Sequence, residues 1–89
     1  MRFETVKKNL RKIGKIDADD LESEIVEAFD DYRFRGETDV MISEPRRVGY
    51  MDDSGIEYEV QAYVNHADAP IAIIGYAKDG DEIIVKSVR

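Results

Sequence analysis

Carboxylates are the only side chains of this sequence whose density and spacing could support specific chemistry. Residues 17–31 contain eight Asp and Glu and no Lys or Arg. If this segment is a helix, Asp20, Glu24, Glu27 and Asp31 share one face, at i, i+4, i+7 and i+11. Like charges four residues apart cost about 0.2–0.5 kcal/mol per pair. Such a stripe is either a solvated helix face, a partner for basic residues elsewhere in the fold, or an imitation of nucleic-acid phosphates.

Catalytic and metal-binding motifs do not occur in the sequence. His66 is the single histidine, cysteine is absent, and there is no glycine-rich phosphate loop. The paired acids Asp19-Asp20 and Asp52-Asp53 fall where a helix cap and a turn are expected, and Asp commonly hydrogen-bonds to the backbone at such positions. We therefore expect a protein that is not an enzyme and that needs neither a metal nor another cofactor.

Length and charge restrict the class of partner. The chain has 89 residues, which predicts a single domain over residues 1–89. Its net charge of -7 disfavours direct binding to nucleic acid, because that binding needs clustered positive charge. The sequence contains neither an apolar run near the ~20 residues of a membrane span nor the apolar segment of a signal peptide. We expect a cytoplasmic protein that does not contact membranes.

Two amphipathic helices are predicted in the first third of the chain. In the first helix, apolar residues recur at helical spacing up to Ile13, and Gly14 is placed to end it. Residues 2–15, which contain this helix, carry six bases and one acid. We interpret the bases as a solvated surface of the helix. Asp17, Asp19 and Asp20 are expected to cap the second helix. Its apolar face comprises Leu21, Ile25, Ala28, Phe29 and Tyr32.

An antiparallel sheet is predicted in the rest of the chain. Residues 56–64 alternate between apolar and polar side chains, which indicates a strand with one buried face. Residues 40–42 begin an earlier strand that Pro45 interrupts. Residues 70–76 are almost wholly apolar, as in a central strand, and Asp79-Gly80 predicts a hairpin into the last strand. Two helices packed on an antiparallel meander of four or five strands make an α+β fold.

Several short motifs after residue 21 occur in an order found in a known protein family. Glu22-Ser23 is similar to a Glu-Ser pair of that family, and residues 24–29 (EIVEAF) resemble its second helix. Residues 37–42 (ETDVMI) resemble the start of its second strand, residues 67–70 (ADAP) a turn, and residues 70–76 (PIAIIGY) a late strand. The layout therefore resembles the phage-type uracil-DNA glycosylase inhibitors, which are small acidic proteins with two helices and a five-stranded antiparallel sheet.

The resemblance implies a function and a set of contact residues. Uracil-DNA glycosylase flips a base and inserts an apolar side chain into the duplex. The inhibitors place carboxylates where DNA phosphates would lie, and they enclose the inserted leucine in an apolar pocket between the second helix and the sheet. By resemblance, the polar contacts would be Glu22, Ser23, Glu24, Glu27 and Asp68. The pocket would be lined by Ile25, Ala28, Phe29, Ile42, Val60, Ala62 and Val64. Such a protein would act in a bacterial host cell and would be a monomer when free.

One feature departs from the family, and two other functions fit the same residues. The family carries its Glu-Ser pair on an edge strand between the helices, but residues 15–20 (KIDADD) are poor in strand-forming residues, so the sequence does not predict that strand. A DNA mimic directed at a restriction or CRISPR nuclease would use the acidic stripe without the pocket. A small protein-interaction module would instead use the exposed face of residues 56–64, with little dependence on salt.

Overall fold

The computed structural model describes residues 2–29, 40–48, 55–64 and 68–89. Two helices pack with a curled antiparallel sheet, which confirms the predicted α+β class. The helices are α1 (Arg2–Arg11) and α2 (Leu21–Ala28), and a 3-10 helix, η1 (Ala18–Asp20), leads into α2. The strands are β1 (Lys15–Asp17), β2 (Val40–Ile42), β3 (Arg46–Arg47), β4 (Tyr58–Val64), β5 (Ala72–Asp79) and β6 (Glu82–Val88).

The sequence predictions for Asp31, Tyr32, residues 37–39, Asp52-Asp53 and His66 lie outside the described residues. Within the described parts of the chain, neither helix is long and apolar enough to cross a membrane.

The sheet has the order β1-β6-β5-β4-β2, and β3 also pairs with β4. Each pairing is antiparallel, and β5 is central, as residues 70–76 predicted. The predicted hairpin joins β5 to β6, with Gly80 at a φ of 65°. The break at Pro45 separates β2 from β3, which pair with different parts of β4. Strand β1 is therefore one edge of the sheet, and β2 and β3 together form the other.

Strand β1 forms within residues 15–20, a segment whose composition does not predict a strand. Ile16 lies opposite Ile83 of β6. The amide of Val85 donates to the carbonyl of Gly14, and the amide of Ala18 donates to the carbonyl of Asp81, each at 2.9 Å. These hydrogen bonds come from pairing with β6. The residue types of β1 do not predict them, because β propensity depends strongly on context.

The core lies between the helices and one face of the sheet. Helix α1 contributes Val6 and Leu10, and it ends before Gly14, whose φ of 66° interrupts the helical backbone. Ile25 of α2 and Phe29, which directly follows the helix, are completely buried. The predicted alternation of the long strand is confirmed by three buried residues that point toward the helices: Val60, Ala62 and Val64.

The start of α2 differs from the predicted side-chain capping. Asp17 and Asp20 occupy the N-cap positions of η1 and α2, but neither side chain makes a capping hydrogen bond. Asp20 has helical backbone angles, φ -93° and ψ -5°, whereas a capping side chain usually comes from an extended residue. The continuous passage from η1 into α2 therefore leaves these carboxylates exposed to solvent.

Candidate partner-binding site

Helix α2 exposes carboxylates on two different flanks. At 3.6 residues per turn, Glu24 and Glu27 are about 60° apart, and Glu22 is at least roughly 140° from either of them. Glu22 faces the edge strand β2, where it lines a cavity with Ile42 and Val60. Glu24 and Glu27 line a second cavity next to α1. We call these two sides of α2 the sheet flank and the α1 flank.

The sheet flank contains a surface cavity of about 190 Å³, which we call the edge cavity. Residues from both edges of the sheet line this cavity. Ala18 directly follows β1, and Ile42 ends β2. For comparison, an apolar cavity of about 150 Å³ is large enough to bind benzene. The lining consists of Ala18, Asp19, Leu21, Glu22, Ile42, Ser43, Pro45 and Val60.

The edge cavity combines apolar walls with an acidic rim. Leu21 and Val60 are buried and form its floor, while the side chains of Asp19 and Glu22 are exposed at its mouth. Backbone bonding holds the β2 side in place. The amide of Ser43 donates to the carbonyl of Gln61 at 2.9 Å, and the amide of Gln61 donates to Oγ of Ser43 at 2.8 Å. These bonds fix the β2 wall, and the lining combines apolar side chains with exposed carboxylates.

The α1 flank contains a polar cleft of about 200 Å³, which we call the interhelix cleft. Asn9 donates a hydrogen bond from Nδ2 to the carbonyl of Ala28 at 3.3 Å and so joins α1 to the last turn of α2. The remaining lining residues are Ile13, Glu24 and Glu27. Two carboxylates and an amide dominate this cleft, so it does not provide the apolar enclosure that the family resemblance implies.

Most of the predicted apolar pocket is filled by the protein's own core. Ile25, Phe29 and Ala62 are completely inaccessible, and Val64 is buried as well. None of them lines the edge cavity, and Ala28 instead borders the interhelix cleft. In the described residues, the core side chains of α2 fill the space against the sheet, and an opening lies where η1 enters the helix. Of the seven residues predicted for the pocket, Ile42 and Val60 line the edge cavity.

The predicted polar contacts are not brought together at one place. Ser23 is exposed and donates from Oγ to the carbonyl of Asp20 at 3.0 Å, which is a local helical bond. Asp68 is exposed in the connection that follows β4. The edge cavity contacts Val60, whereas Asp68 follows the end of β4 at Val64. The strand from Val60 to Val64 spans about 13 Å. Glu22 alone among the five predicted polar residues lies at the edge cavity.

Sequence reasoning missed several residues of the edge cavity. The sequence pattern gives Ala18 no role, predicts Asp19 as a helix cap and predicts Pro45 only as a strand breaker. Leu21 was assigned to the apolar face of α2 without a role in binding. A weak signal was available, since Pro45 follows Ile42 by three residues and forces the edge strand to end beside its apolar side chain.

The acids of α2 have no ion-pair partner among the residues that the structure describes. In those segments Lys15 pairs with Asp79 at 3.3 Å and with Glu82 at 3.4 Å, and Arg89 pairs with Glu59. Hydrogen bonds from Lys15 to these two carboxylates raise the pKa of its ammonium group. Pairing between the basic helix α1 and the acidic helix α2, one of the interpretations of the acidic stripe, is thus not observed in the described residues.

Comparison of the chain with protein-family models, curated protein sequences and solved structures finds no match. The resemblance to the uracil-DNA glycosylase inhibitors therefore remains a prediction based on the short motifs quoted above. The edge cavity and its acidic rim are the structural features from which a function can be inferred.

Proposed function

We propose that this protein is a non-catalytic inhibitor that imitates DNA and occupies the DNA-binding cleft of uracil-DNA glycosylase in the cytoplasm of a bacterial host cell. The observation that supports this proposal most directly is the juxtaposition of exposed carboxylates with an open apolar cavity. A glycosylase that inserts an apolar side chain into DNA presents the complementary pair of features, a basic cleft and a projecting aliphatic group.

The two features make different contributions to binding. The carboxylates of Asp19 and Glu22, together with the overall charge of -7, attract a basic cleft and accelerate association. An aliphatic side chain that enters the edge cavity loses its contact with water and slows dissociation. Because the cavity is already formed between Leu21, Ile42 and Val60, binding requires little rearrangement of the core.

This contact set is narrower than the one implied by the family resemblance. It retains Glu22, Ile42 and Val60 and adds the neighbouring residues of η1 and the β2–β3 connection. Glu24 and Glu27 support the long-range attraction from the α1 flank, but they are not rim residues of the cavity. Ser23 and Asp68 have no direct role in the proposed contact.

The proposal is tested by uracil excision from a duplex oligonucleotide with purified bacterial uracil-DNA glycosylase and this protein at equimolar concentration. We expect excision to stop. The double variant Asp19→Lys/Glu22→Lys should associate more slowly by roughly tenfold or more, with the largest effect at low salt.

The matched control is Glu4→Lys/Asp68→Lys, which has the same net charge but changes two exposed acids away from the edge cavity. The control should inhibit nearly as well as the wild type. Undisturbed excision with equimolar wild-type protein would overturn the proposal. Equal loss in the rim variant and the control would show that total charge, rather than the cavity rim, governs binding.

A further inference from the structure

Charges of opposite sign lie side by side on the helix pair. Lys8 lies in the last turn of α1 and Lys12 directly follows the helix. Both are exposed, and we call the pair the basic stripe. Both lie close to Asn9, whose side chain contacts α2: Lys8 is about 100° from it around the helix, and the amide of Lys12 donates to its carbonyl at 3.2 Å. On α2, Glu24 and Glu27 form an acidic stripe at the interhelix cleft. We call the surface made by these two stripes and the cleft the helix-pair face.

The two stripes do not neutralise each other within one copy. No ion pair in residues 2–29 joins α1 to α2, although the hydrogen bond from Asn9 to Ala28 holds the helices together. Each stripe therefore presents its charge outward, and the two signs alternate across a single surface.

We infer that the helix-pair face is self-complementary and that two copies of this chain associate through it around a two-fold axis. A two-fold rotation sets the basic stripe of one copy against the acidic stripe of the other, and the same contact occurs a second time. Ile13, which is partly exposed and lines the cleft, supplies a small apolar contact.

A second copy suits this surface better than a partner with a single sign of charge. A polyanion would be attracted by Lys8 and Lys12 but repelled by the adjacent carboxylates, and a basic protein would meet the reverse arrangement. Only a partner with both stripes satisfies the whole face, and this chain carries both. The inferred oligomeric state is therefore a dimer, whereas the family resemblance implies a monomer.

The dimer is expected to be weak. Helices of ten and eight residues are about 15 and 12 Å long, so the contact belongs to the small, transient class of interfaces. The negative charge of each copy also opposes association. The dimer covers Glu24 and Glu27 and leaves the edge cavity open, since the cavity lies on the other flank of α2. This inference does not depend on the proposed inhibitor function.

Charge exchange in analytical ultracentrifugation tests the inference without any glycosylase present. The wild type should show a mass that rises with concentration. Lys8→Glu/Lys12→Glu and Glu24→Lys/Glu27→Lys should each remain monomeric, because both contacts of either homodimer become repulsive. An equimolar mixture of the two variants should form a heterodimer, because both contacts become attractive again.

The mixture contains the same total charge as two wild-type copies, so its recovery cannot arise from a change in net charge. Asp68→Lys/Asp81→Lys, which changes two exposed acids outside both helices, should still associate, and circular dichroism checks that each variant is folded. If a charge-reversed variant does not fold, the neutral pairs Lys8→Gln/Lys12→Gln and Glu24→Gln/Glu27→Gln replace the reversed ones, and each should weaken association.

Three outcomes would overturn the inference. The first is a wild type that stays monomeric at every concentration, and the second is a mixture of variants that fails to associate. The third is found by adding a duplex oligonucleotide: binding that depends on Lys8 and Lys12 would assign the basic stripe to a polyanion instead of a second copy.

Discussion

The two flanks of helix α2 carry the same type of side chain beside very different neighbours. On the sheet flank, Glu22 stands at the mouth of an apolar cavity made by Leu21, Ile42 and Val60. On the α1 flank, Glu24 and Glu27 border a polar cleft beside a basic helix. The comparison shows that the role of a carboxylate depends on what lies next to it. We propose that the acid beside the apolar cavity recognises a combined basic and aliphatic group, whereas the acids beside lysines favour charge complementarity.

The largest effect is expected from the residue that supports both flanks at once. Phe29 is completely buried against the core, and replacing it with Ala should lower the free energy of unfolding by about 3–5 kcal/mol. Both the inhibition and the self-association should then be lost together, because a domain of this size has little stability in reserve. Urea unfolding followed by circular dichroism measures the change.

Met41→Ala provides the control for that measurement. Met41 is 61% exposed on the edge strand, so its truncation should alter the unfolding free energy by no more than about 0.5 kcal/mol. Equal effects at the two positions would contradict the assignment of Phe29 to the core beneath α2.

Filling only the edge cavity should separate inhibition, proposed for the sheet flank, from self-association, proposed for the α1 flank. Ala18 lines this cavity and is partly exposed, so Ala18→Leu places an aliphatic side chain where a partner's side chain is proposed to enter. We expect inhibition of uracil excision to fall by roughly tenfold or more, as is typical when a central apolar contact is removed. Self-association through the helix-pair face should be unchanged in the ultracentrifuge.

Ala69→Leu is the matched control for the filled cavity, since Ala69 is exposed in the connection before β5. This variant should inhibit like the wild type. Full inhibition by Ala18→Leu would mean that the edge cavity does not receive a partner's side chain, whatever the role of its acidic rim.

The smallest effect is expected from the ion pairs of Lys15 in β1, the strand that precedes the edge-cavity residues Ala18 and Asp19. The pKa of Lys15 is raised above 10.5 by its hydrogen bonds to Asp79 and Glu82. The protonated form is therefore favoured in the folded state, so the stabilisation is complete below pH 10.5 and is lost as the pH rises through the higher folded value. Lys15→Met should make the urea midpoint less sensitive to pH in this alkaline range.

Two features of the structure bear on that experiment. Burial and the neighbouring Tyr58 raise the pKa of Tyr76, so alkaline pH destabilises the fold through this residue also, and the variant removes only part of the dependence. Lys86→Met is the control, because Lys86 is exposed and takes no part in the ion pairs of the described residues. A pH dependence identical in both variants would show that the pairs of Lys15 do not stabilise β1.

Local patterns predicted most of the fold. The alternation in residues 56–64, the interruption at Pro45 and the hairpin at Asp79-Gly80 each depend on the conformational preferences of a few neighbouring residues, and the structure contains all three. The spacing of Val6 and Leu10 likewise gave the buried face of α1. These features could be predicted because the information that specifies them is local in the chain.

Long-range pairing and the extent of packing could not be predicted in the same way. Strand β1 forms because Ile16 meets Ile83, a residue far along the chain, and residues 15–17 alone give no strand signal. The buried state of Ile25 and Ala62 was compatible with either a lined pocket or a filled core. That choice depends on how closely α2 approaches the sheet, which no local pattern encodes.

The sequence by itself determined the α+β order of elements, the segregation of acidic and basic residues between the two helices, and the faces that become buried. The tertiary structure alone decided that β1 pairs with β6, that the core side chains of α2 are fully buried, and that an opening remains beside Glu22. The physical reason is that periodicity fixes the direction of a side chain relative to its own backbone, whereas a cavity exists only where separate elements fail to meet.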